Sequence, residues 1–565
     1  MTRSARQDEA PPPAPPPDEA AAELTVVAYH ERTKHHFHRY AASSPRMDWA
    51  TQPNPFRRFD GAPLLPLPLP AEGRSLPYWQ LYVPGVVAPA PLEAGSLSLF
   101  LRLALSLTAW KSFQGTRWAL RANPSSGNLH PTEGYLLLPP LNGVLDRAAL
   151  HHYAPQEHGL ECRAEFDPAA GAALAQALPA GGFLVGLTSI HWREAWKYGE
   201  RAFRYSQLDT GHALGALRLA AAALGWGLRL AGDGAGLGPR LLGLDRDADF
   251  AGAEREDFEL LAWVGPRVDT CPSLGGLPPP SIWQGRANRL SPRHTFDWPV
   301  IDEVAAASAP MRAAGDEDAC GFPAEEALFD PPVREGRLSA ERAILGRRSA
   351  VAMDGATPIP AAAFFRMLAR LVPQGDRSAP PWDALSWRPR IHLGLFVHRV
   401  EGIEPGLYAL VRDPSQTARL RSAMRPGLRW QRPPGCPPGL DLYLLEAGDC
   451  RAKAATVACR QEIAGDGAFS VAMLADYLQS IAARGAGFYR HLFWEAGLVG
   501  QLLYLEAEEA GVRGTGIGCF FDDPVHEVFG LASRDWQCFY AFTVGAPVED
   551  TRLSTLPAYP APPQA

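Results

Sequence analysis

An α+β fold in two similar halves is what this sequence predicts, and three observations carry that prediction. The chain has 565 residues, more than one hydrophobic core holds, because cores stop growing near roughly 250 to 300 residues and longer chains divide. Laying residue 199 on residue 485, an offset of 286, and reading without gaps to 225 on 511 matches seven of 27 positions. The pairs are Gly199 with Gly485, Arg204 with Arg490, Gly211 with Gly497, Leu217 with Leu503, Leu219 with Leu505, Ala221 with Ala507 and Gly225 with Gly511. Several fall on glycines and small residues of a helical pattern, as expected of a duplication. Each half also ends on an apolar run closing in Val-Gly, FELLAWVG at 258–265 and CFYAFTVG at 538–545, so strands stand among the helices in both.

Taken in chain order, residues 1–22 are rich in Pro, Ala and acid and read as a disordered tail, since they bury too little apolar surface to offset ordering. The first domain is expected over 23–270. Its segment LRANPSSGNLHPTEGYLLL places Pro124, Ser125, Ser126, Gly127 and Asn128 in a turn before an apolar strand. That loop offers backbone N–H groups, two hydroxyls and an amide to a planar polar ligand, although turn chemistry alone also explains such a cluster. FLVGLTSI is a further strand. In HWREAWKYGERAFRY, Lys197 and Tyr198 are adjacent, and both exchange protons once burial or charge shifts their pKa. GHALGALRLAAAALG reads as a helix that begins near one Gly and stops at another. It is apolar nearly all round, which requires burial on most sides.

Residues 271–335, dense in Pro and Gly, read as a linker, and the second domain is expected over 336–565. There ERAILGRRSAVAMDG carries Arg347, Arg348 and Ser349 at the end of a helix, two guanidinium forks and a hydroxyl that suit a phosphate. IHLGLFVHRV and LDLYLLEAG are strand patterns, and GLVGQLLYLEAEEAG reads as a second helix that begins near one Gly and stops at another. VRGTGIGCFFDDP then brings Gly514, Gly516, Ile517 and Gly518, where the chain can lie against a flat ring. The spacing is not that of the dinucleotide-binding fingerprint.

Composition narrows the function classes. A formal charge of −7 leaves no electrostatic footprint for nucleic acid, and no run of apolar residues is long enough to span a bilayer or act as a signal peptide, so a soluble cytoplasmic protein is expected. The eight cysteines include no C-x-x-C pair and read as reduced, mostly buried thiols. His30, His35, His36 and His38 lack the carboxylate or thiolate company of a metal site, and no metal is expected. Asp522 and Asp523 read as polar residues closing a loop rather than as ligands.

Together PSSGN, Arg347-Arg348-Ser349, GTGIG and KYGERAFRY with the downstream D-x-G-H at 209–212 resemble the nitroreductase superfamily. They are most similar to its branch of azoline dehydrogenases of the SagB/ThcOx type, from thiazole/oxazole-modified peptide biosynthesis. YHERTKHHFHRY at 29–40 is similar to an N-terminal signature of that branch. The resemblance covers nearly everything after residue 23. It implies two fused FMN-dependent nitroreductase-like domains forming an intramolecular pseudo-dimer, where other members pair two chains around FMN. By that resemblance the cofactor-binding residues are Pro124, Ser125, Ser126 and Asn128 from one half and Arg347, Arg348, Ser349, Gly514, Gly516, Ile517 and Gly518 from the other. Arg552 is a second phosphate candidate, because relatives place basic residues after the last strand. Lys197 and Tyr198 are implied as catalytic, taking a ring proton while hydride goes to the flavin.

The parts divide so that one complete site can be built. The first half has no Arg-Arg-Ser, the second has WRPRIHLGLFVHR where the PSSGN loop should be, and positions 483 and 484 are Ala and Arg in place of Lys-Tyr. The usual pattern R-R-S-x-R ends here on Val351, which removes a cation expected near the flavin pyrimidine. Three functions stay open: dehydrogenation of an azoline in a peptide, with cyclodehydratase-type partner proteins; NAD(P)H-dependent reduction of a nitro compound or quinone; and a non-catalytic flavin-binding scaffold subunit.

Overall fold

The computed structural model describes residues 17–69, 76–178, 180–231, 234–267, 274–309, 337–373 and 379–559. Each half is built on an antiparallel sheet of the same order. In the first, the strands run Gly159–Glu165, Ala149–Ala154, Thr132–Leu138, Phe183–Ser189, Asp257–Gly265, Gly227–Leu230. In the second they run Leu442–Ala447, Gly406–Leu410, Ile391–Val397, Phe469–Asp476, Trp536–Gly545, Arg513–Ile517. The central strands of both are buried along their whole length. This fits their near-continuous apolar runs, which mark strands covered on both faces.

The duplication read from sequence extends further in the structure. The offset of 286 holds from Phe183–Ser189 on Phe469–Asp476, through His191–Tyr198 on Tyr477–Arg484, to Ala202–Ala223 on Phe488–Glu509. These last two helices cross at the centre of the molecule. They begin nine residues before the glycines expected to open them and end just ahead of Gly225 and Gly511, which take φ of +68° and +76°.

Where they cross, the contact is reciprocal. A Cβ on Gly211 would lie 2.3 Å from the carbonyl oxygen of Trp494, and one on Gly497 would lie 2.2 Å from that of Leu208. Residues 208 and 211 are equivalent to 494 and 497, so the pair sits on a local twofold axis, the self-complementary contact of a dimer within one chain. Since backbone stands on both sides, Gly211→Val and Gly497→Val are each expected to cost about 3 kcal/mol or more in urea unfolding. Gly215→Ala, one turn on, meets only the flexible side chains of Gln501 and Leu498 and should stay within about 1 kcal/mol of the parent.

The matched arginines obey the same axis. Arg204 holds the end of the helix Pro17–Arg32 through His30 O and Thr33 Oγ1 and pairs with Asp522 of the second half at 2.8 Å. Arg490 holds the end of the helix Pro299–Ala307 through Ala305 O and Ser308 Oγ and pairs with Glu259 of the first half at 2.7 Å.

This corrects two boundaries. Of the expected tail 1–22, residues 1–16 lie outside the described residues, and 17–22 belong to the first helix, which starts at Pro17 with Asp18 and Glu19 favourably placed in its first turn. Of the expected linker 271–335, residues 274–309 are structured. Ile282–Trp283 extends the first sheet beside Gly159–Glu165, and Pro299–Ala307 occupies in the second half the place that Pro17–Arg32 has in the first. Residues 310–336 lie outside the description. At the other end, Ser554–Leu556 returns to pair with Leu107–Phe113 of the first half, so the halves are interlocked as well as packed. Among the described residues no helix is long and apolar enough to cross a membrane.

Candidate active site between the halves

A cavity of about 780 Å³ opens beside the central helices, and its walls come from both halves. From the first half, Pro124 to Asn128 form one wall. Gly127 and Asn128 take φ of +58° and +60°, and a Cβ on Gly127 would lie 2.5 Å from Tyr198 Oη and 3.1 Å from Lys197 Nζ. Glycine is thus required twice, by its conformation and by the Lys-Tyr pair pressed against it. The loop is locked by Asp209, whose carboxylate accepts from Ser126 N at 3.0 Å and Ser126 Oγ at 3.0 Å, while Asn128 Nδ2 donates to Ala119 O.

From the second half, Ser349 pairs with Gly514 along the free edge of the strand Arg513–Ile517, so the Arg-Arg-Ser segment and the glycine segment make one floor. Ser349 Oγ meets Tyr504 Oη at 2.9 Å, and that hydroxyl accepts from Gly516 N. The glycines here have a different physical reason from the one expected. A Cβ on Gly514, Gly516 or Gly518 would strike Phe542, Tyr540 or Tyr205 respectively, so each makes room for an aromatic ring of the protein itself. Thr515, Gly516, Ile517 and Gly518 still line the cavity.

Cations gather at one end. Arg347 is buried, donates to Arg121 O at 3.0 Å and Ala122 O at 3.3 Å, and lies over the Tyr504 ring, tying the second half to the strand ahead of the PSSGN loop. Arg348 reaches Thr108 Oγ1 across the same boundary. Arg513 and Lys111, which the motifs did not single out, complete the group. Burial and the neighbouring Arg347 and Arg513 hold the Arg348 guanidinium down to about 10, and burial lowers Arg347 as well, with Glu508 as the opposing charge. Such mutual repulsion in a half-dry site is what an anion relieves. Val351 is 79% exposed at the rim. Arg552 is not at the site: its side chain is 72% exposed, paired with Asp550 at 2.8 Å and turned over Phe113.

Behind the Lys-Tyr pair sits a carboxylic acid that no motif singled out. Glu194 is fully buried one helical turn earlier, neither oxygen has a hydrogen-bond partner, and burial together with Asp209 pushes it well above the carboxylate range. Burial also raises Tyr198 well above its ordinary value and moves Asp209 up to about 7. A carboxyl raised on folding favours the folded state while protonated, and that contribution is lost as pH rises through the folded pKa. The melting temperature should therefore fall between pH 5 and pH 8 through the Asp209 contribution, and Asp209→Asn should flatten that fall in thermal scans at the two pH values.

The pseudo-symmetric position is filled. Ahead of the strand Ile391–Val397, Trp382, Leu385 and Trp387 leave about 10 Å³ of space. Glu495, the equivalent of Asp209, takes Trp387 Nε1 at 3.1 Å and pairs with Arg412. Arg218, equivalent to Tyr504, closes on Asp383 at 2.6 Å. One open cavity and one plugged one is the arrangement that the uneven motifs imply.

The remaining motif residues are structural. Asp522 pairs with Arg201 and Arg204, and Asp523 with Lys34. His30 meets Tyr489 and Gln537, and His35 accepts from Ala41 N.

The nitroreductase family description matches residues 89–234 and 412–546. A putative nitroreductase from Anabaena variabilis is similar over 93% of this chain and 99% of its own, at 24% identity and a TM-score of 0.66. A putative nitroreductase from Ralstonia eutropha covers 40% of this chain and 100% of its own, at 18% identity and a TM-score of 0.25. A chain of the E. coli microcin synthetase McbBCD complex with truncated pro-MccB17 bound covers 44% of this chain and 94% of its own, at 18% identity and a TM-score of 0.26. No curated protein matches. With the family matched once in each half and the halves related by a local twofold axis, this protein is a tandem of two nitroreductase-family domains fused in one chain.

Proposed function

We propose that the protein is an FMN-dependent dehydrogenase that oxidises an azoline ring of a modified peptide to the azole, with oxygen as the final electron acceptor. The observation that carries this reading is the placement of Lys197 and Tyr198 behind Gly127, with Tyr198 at the wall of the open cavity, where the equivalent residues of the other half are Ala483 and Arg484.

The residues present fit a flavin mononucleotide. The cavity lies within the roughly 300 to 1,000 Å³ of ligand sites. Arg347, Arg348, Arg513 and Ser349 offer a phosphate paired charge and hydrogen bonds. Ser125, Ser126 and Asn128 face them with polar groups, and Gly127 leaves the room that a Cβ would take. When bound, the flavin supplies the hydride acceptor.

The chain's own part is proton chemistry. A C–H bond beside nitrogen gives up hydride more readily as a neighbouring proton is removed. Lys197 Nζ takes that proton, and Tyr198 Oη, held protonated by burial, stands beside it as the donor, with the buried Glu194 and Asp209 behind them. Lys111 and Arg513 line the same cavity as Val351, which supplies no cation.

Incubating the purified protein with a panel of thiazoline and oxazoline peptides should produce a mass loss of about 2 Da, the two hydrogens removed. Rapid bleaching of the flavin by NAD(P)H with every azoline left intact would replace this reading with the reductase. A colourless protein without turnover would leave the scaffold subunit.

A further inference from the structure

Cys459 and Cys519 stand 60 residues apart in sequence, yet their Sγ atoms lie 2.7 Å from each other, and Cys519 lines the cavity. Both are partly exposed. Closing a sulfur–sulfur bond of about 2.05 Å asks for well under an ångström of movement.

The backbone is arranged to bring them together. Phe521 N donates to Val457 O at 2.8 Å, and the Gln461 side chain donates to Cys519 O at 3.0 Å and Ala458 O at 2.8 Å, which clamps the two segments side by side. Cys459 and Arg460 both take positive φ, 52° and 61°, a conformation that residues with a Cβ avoid and that persists here under the clamp.

The surroundings distinguish the two sulfurs. His35 Nδ1 accepts from Ala41 N at 2.9 Å, which leaves the proton of the neutral ring on Nε2, and His35 hydrogen-bonds Cys519. Burial keeps that imidazole below its ordinary pKa. Arg201 adds a buried positive charge, with a hydrogen bond to Gly518 O at 3.3 Å. The contact with Cys459, followed by the hydrogen bond with His35, draws the Cys519 thiol down, while Cys459 is pushed up. A thiolate with a protonated thiol in contact is the pairing that thiol redox chemistry uses.

We propose that Cys459 and Cys519 are a redox-active pair that reduces hydrogen peroxide in the cavity, with Cys519 attacking and Cys459 resolving. The Cys519 thiolate attacks one peroxide oxygen; the S–O bond forms, the O–O bond breaks, and hydroxide leaves to take a proton from solvent. Cys459 then loses its proton and attacks the sulfenic sulfur; the S–S bond forms, the S–O bond breaks, and the departing oxygen leaves with a proton as water. Two thiols are oxidised to one disulfide, and one peroxide becomes two waters. A small thiol reductant restores the pair. The choice of peroxide rests on the oxygen-dependent reaction proposed above, which releases it in this cavity; the reactivity of the pair does not require the flavin.

The test uses the full-length protein, reduced, freed of reductant and treated with equimolar hydrogen peroxide, both as purified and after flavin removal. Expected in both samples are a mass loss of about 2 Da and a Cys459–Cys519 cross-linked peptide, with Cys162, Cys436, Cys450 and Cys538 still open to alkylation after denaturation. Cys519 should alkylate in the native protein about tenfold or more faster than Cys436. Cys459→Ser should stop at a sulfenic acid on Cys519, and Cys519→Ser should leave Cys459 unreacted. Absence of the cross-link, oxidation of Cys519 to the sulfinic acid with Cys459 free, or first attack at Cys459 would overturn the proposal. The azoline assay stands or falls separately.

Discussion

Lys197→Ala is expected to lower azoline turnover by roughly 10²- to 10⁴-fold, the range that a positioned proton acceptor supplies, while the protein keeps its flavin. The two effects separate because Lys197 contributes no hydrogen bond to the loop or floor that would hold the cofactor, whereas its Nζ stands behind Gly127 of the cavity wall, 3.1 Å from where a Cβ there would lie. Tyr198→Phe keeps the ring that packs on Tyr205 and removes only the hydroxyl beside Gly127. With its hydroxyl held protonated by burial, the tyrosine serves as donor and positioning group, so turnover in Tyr198→Phe should fall less than in Lys197→Ala. Glu194→Gln, nearly isosteric in a fully buried place, should leave binding unchanged and shift the pH profile. Product mass by mass spectrometry reads turnover, and visible absorbance after desalting reads retention. Arg484, the equivalent of Tyr198, lies over the Phe488 ring and does not line the open cavity, so Arg484→Ala should stay within about twofold of the parent. Wild-type turnover in Lys197→Ala, or loss of its yellow colour, would remove the lysine from the mechanism.

The parts of this molecule that its sequence made legible are those where a local pattern has one physical cause. The first central helix is apolar nearly all round, so its burial followed directly, and the matched glycines 211 and 497 mark where the two helices meet backbone to backbone. Their first turns were missed because Arg204, Gln207 and Asp209 look like a solvated face. Arg204 and Gln207 are met by partners hundreds of residues away, Asp522 and Trp494, which no local pattern discloses. The helix Pro299–Ala307 was hidden in the same way by proline-rich flanks, although a short apolar run and its proline at the first position were there to be read. At the site, PSSGN and Arg-Arg-Ser met across the halves as their uneven distribution suggested. The glycines of GTGIG were correctly tied to close approach but to the wrong neighbour, since Tyr540 and Phe542 come from the adjacent strand. Arg552 failed because its position in sequence does not fix its direction, and Asp550 two residues earlier claims it. Lys111, Arg513 and Glu194 carry no motif, and the cysteine pair has no spacing rule to announce it.

One flavin per chain is the second large expectation, and it follows from the unequal cavities. The open one has the cationic end, the glycine floor and the loop. The other is occupied by Trp382 and Trp387 and crossed by the Arg218–Asp383 pair, so a second flavin would have to displace two indoles and would find Arg218 and Arg412 already paired with Asp383 and Glu495. Flavin released by denaturation should therefore equal the chain concentration, and two per chain would overturn the single-site arrangement. The arginines should then separate by what each does without ligand. Arg348→Ala removes a charge-assisted contact worth about 1.5 to 3 kcal/mol, so flavin affinity should fall by roughly 10- to 100-fold with little change in melting temperature. Arg347→Ala should lose affinity and stability together, because the same guanidinium donates to Arg121 O and Ala122 O across the boundary between halves and would leave both carbonyls unpaired. Equal stability losses in the two variants would mean that Arg348 too is a structural strut, and the phosphate would then have to be sought at Arg513 and Lys111.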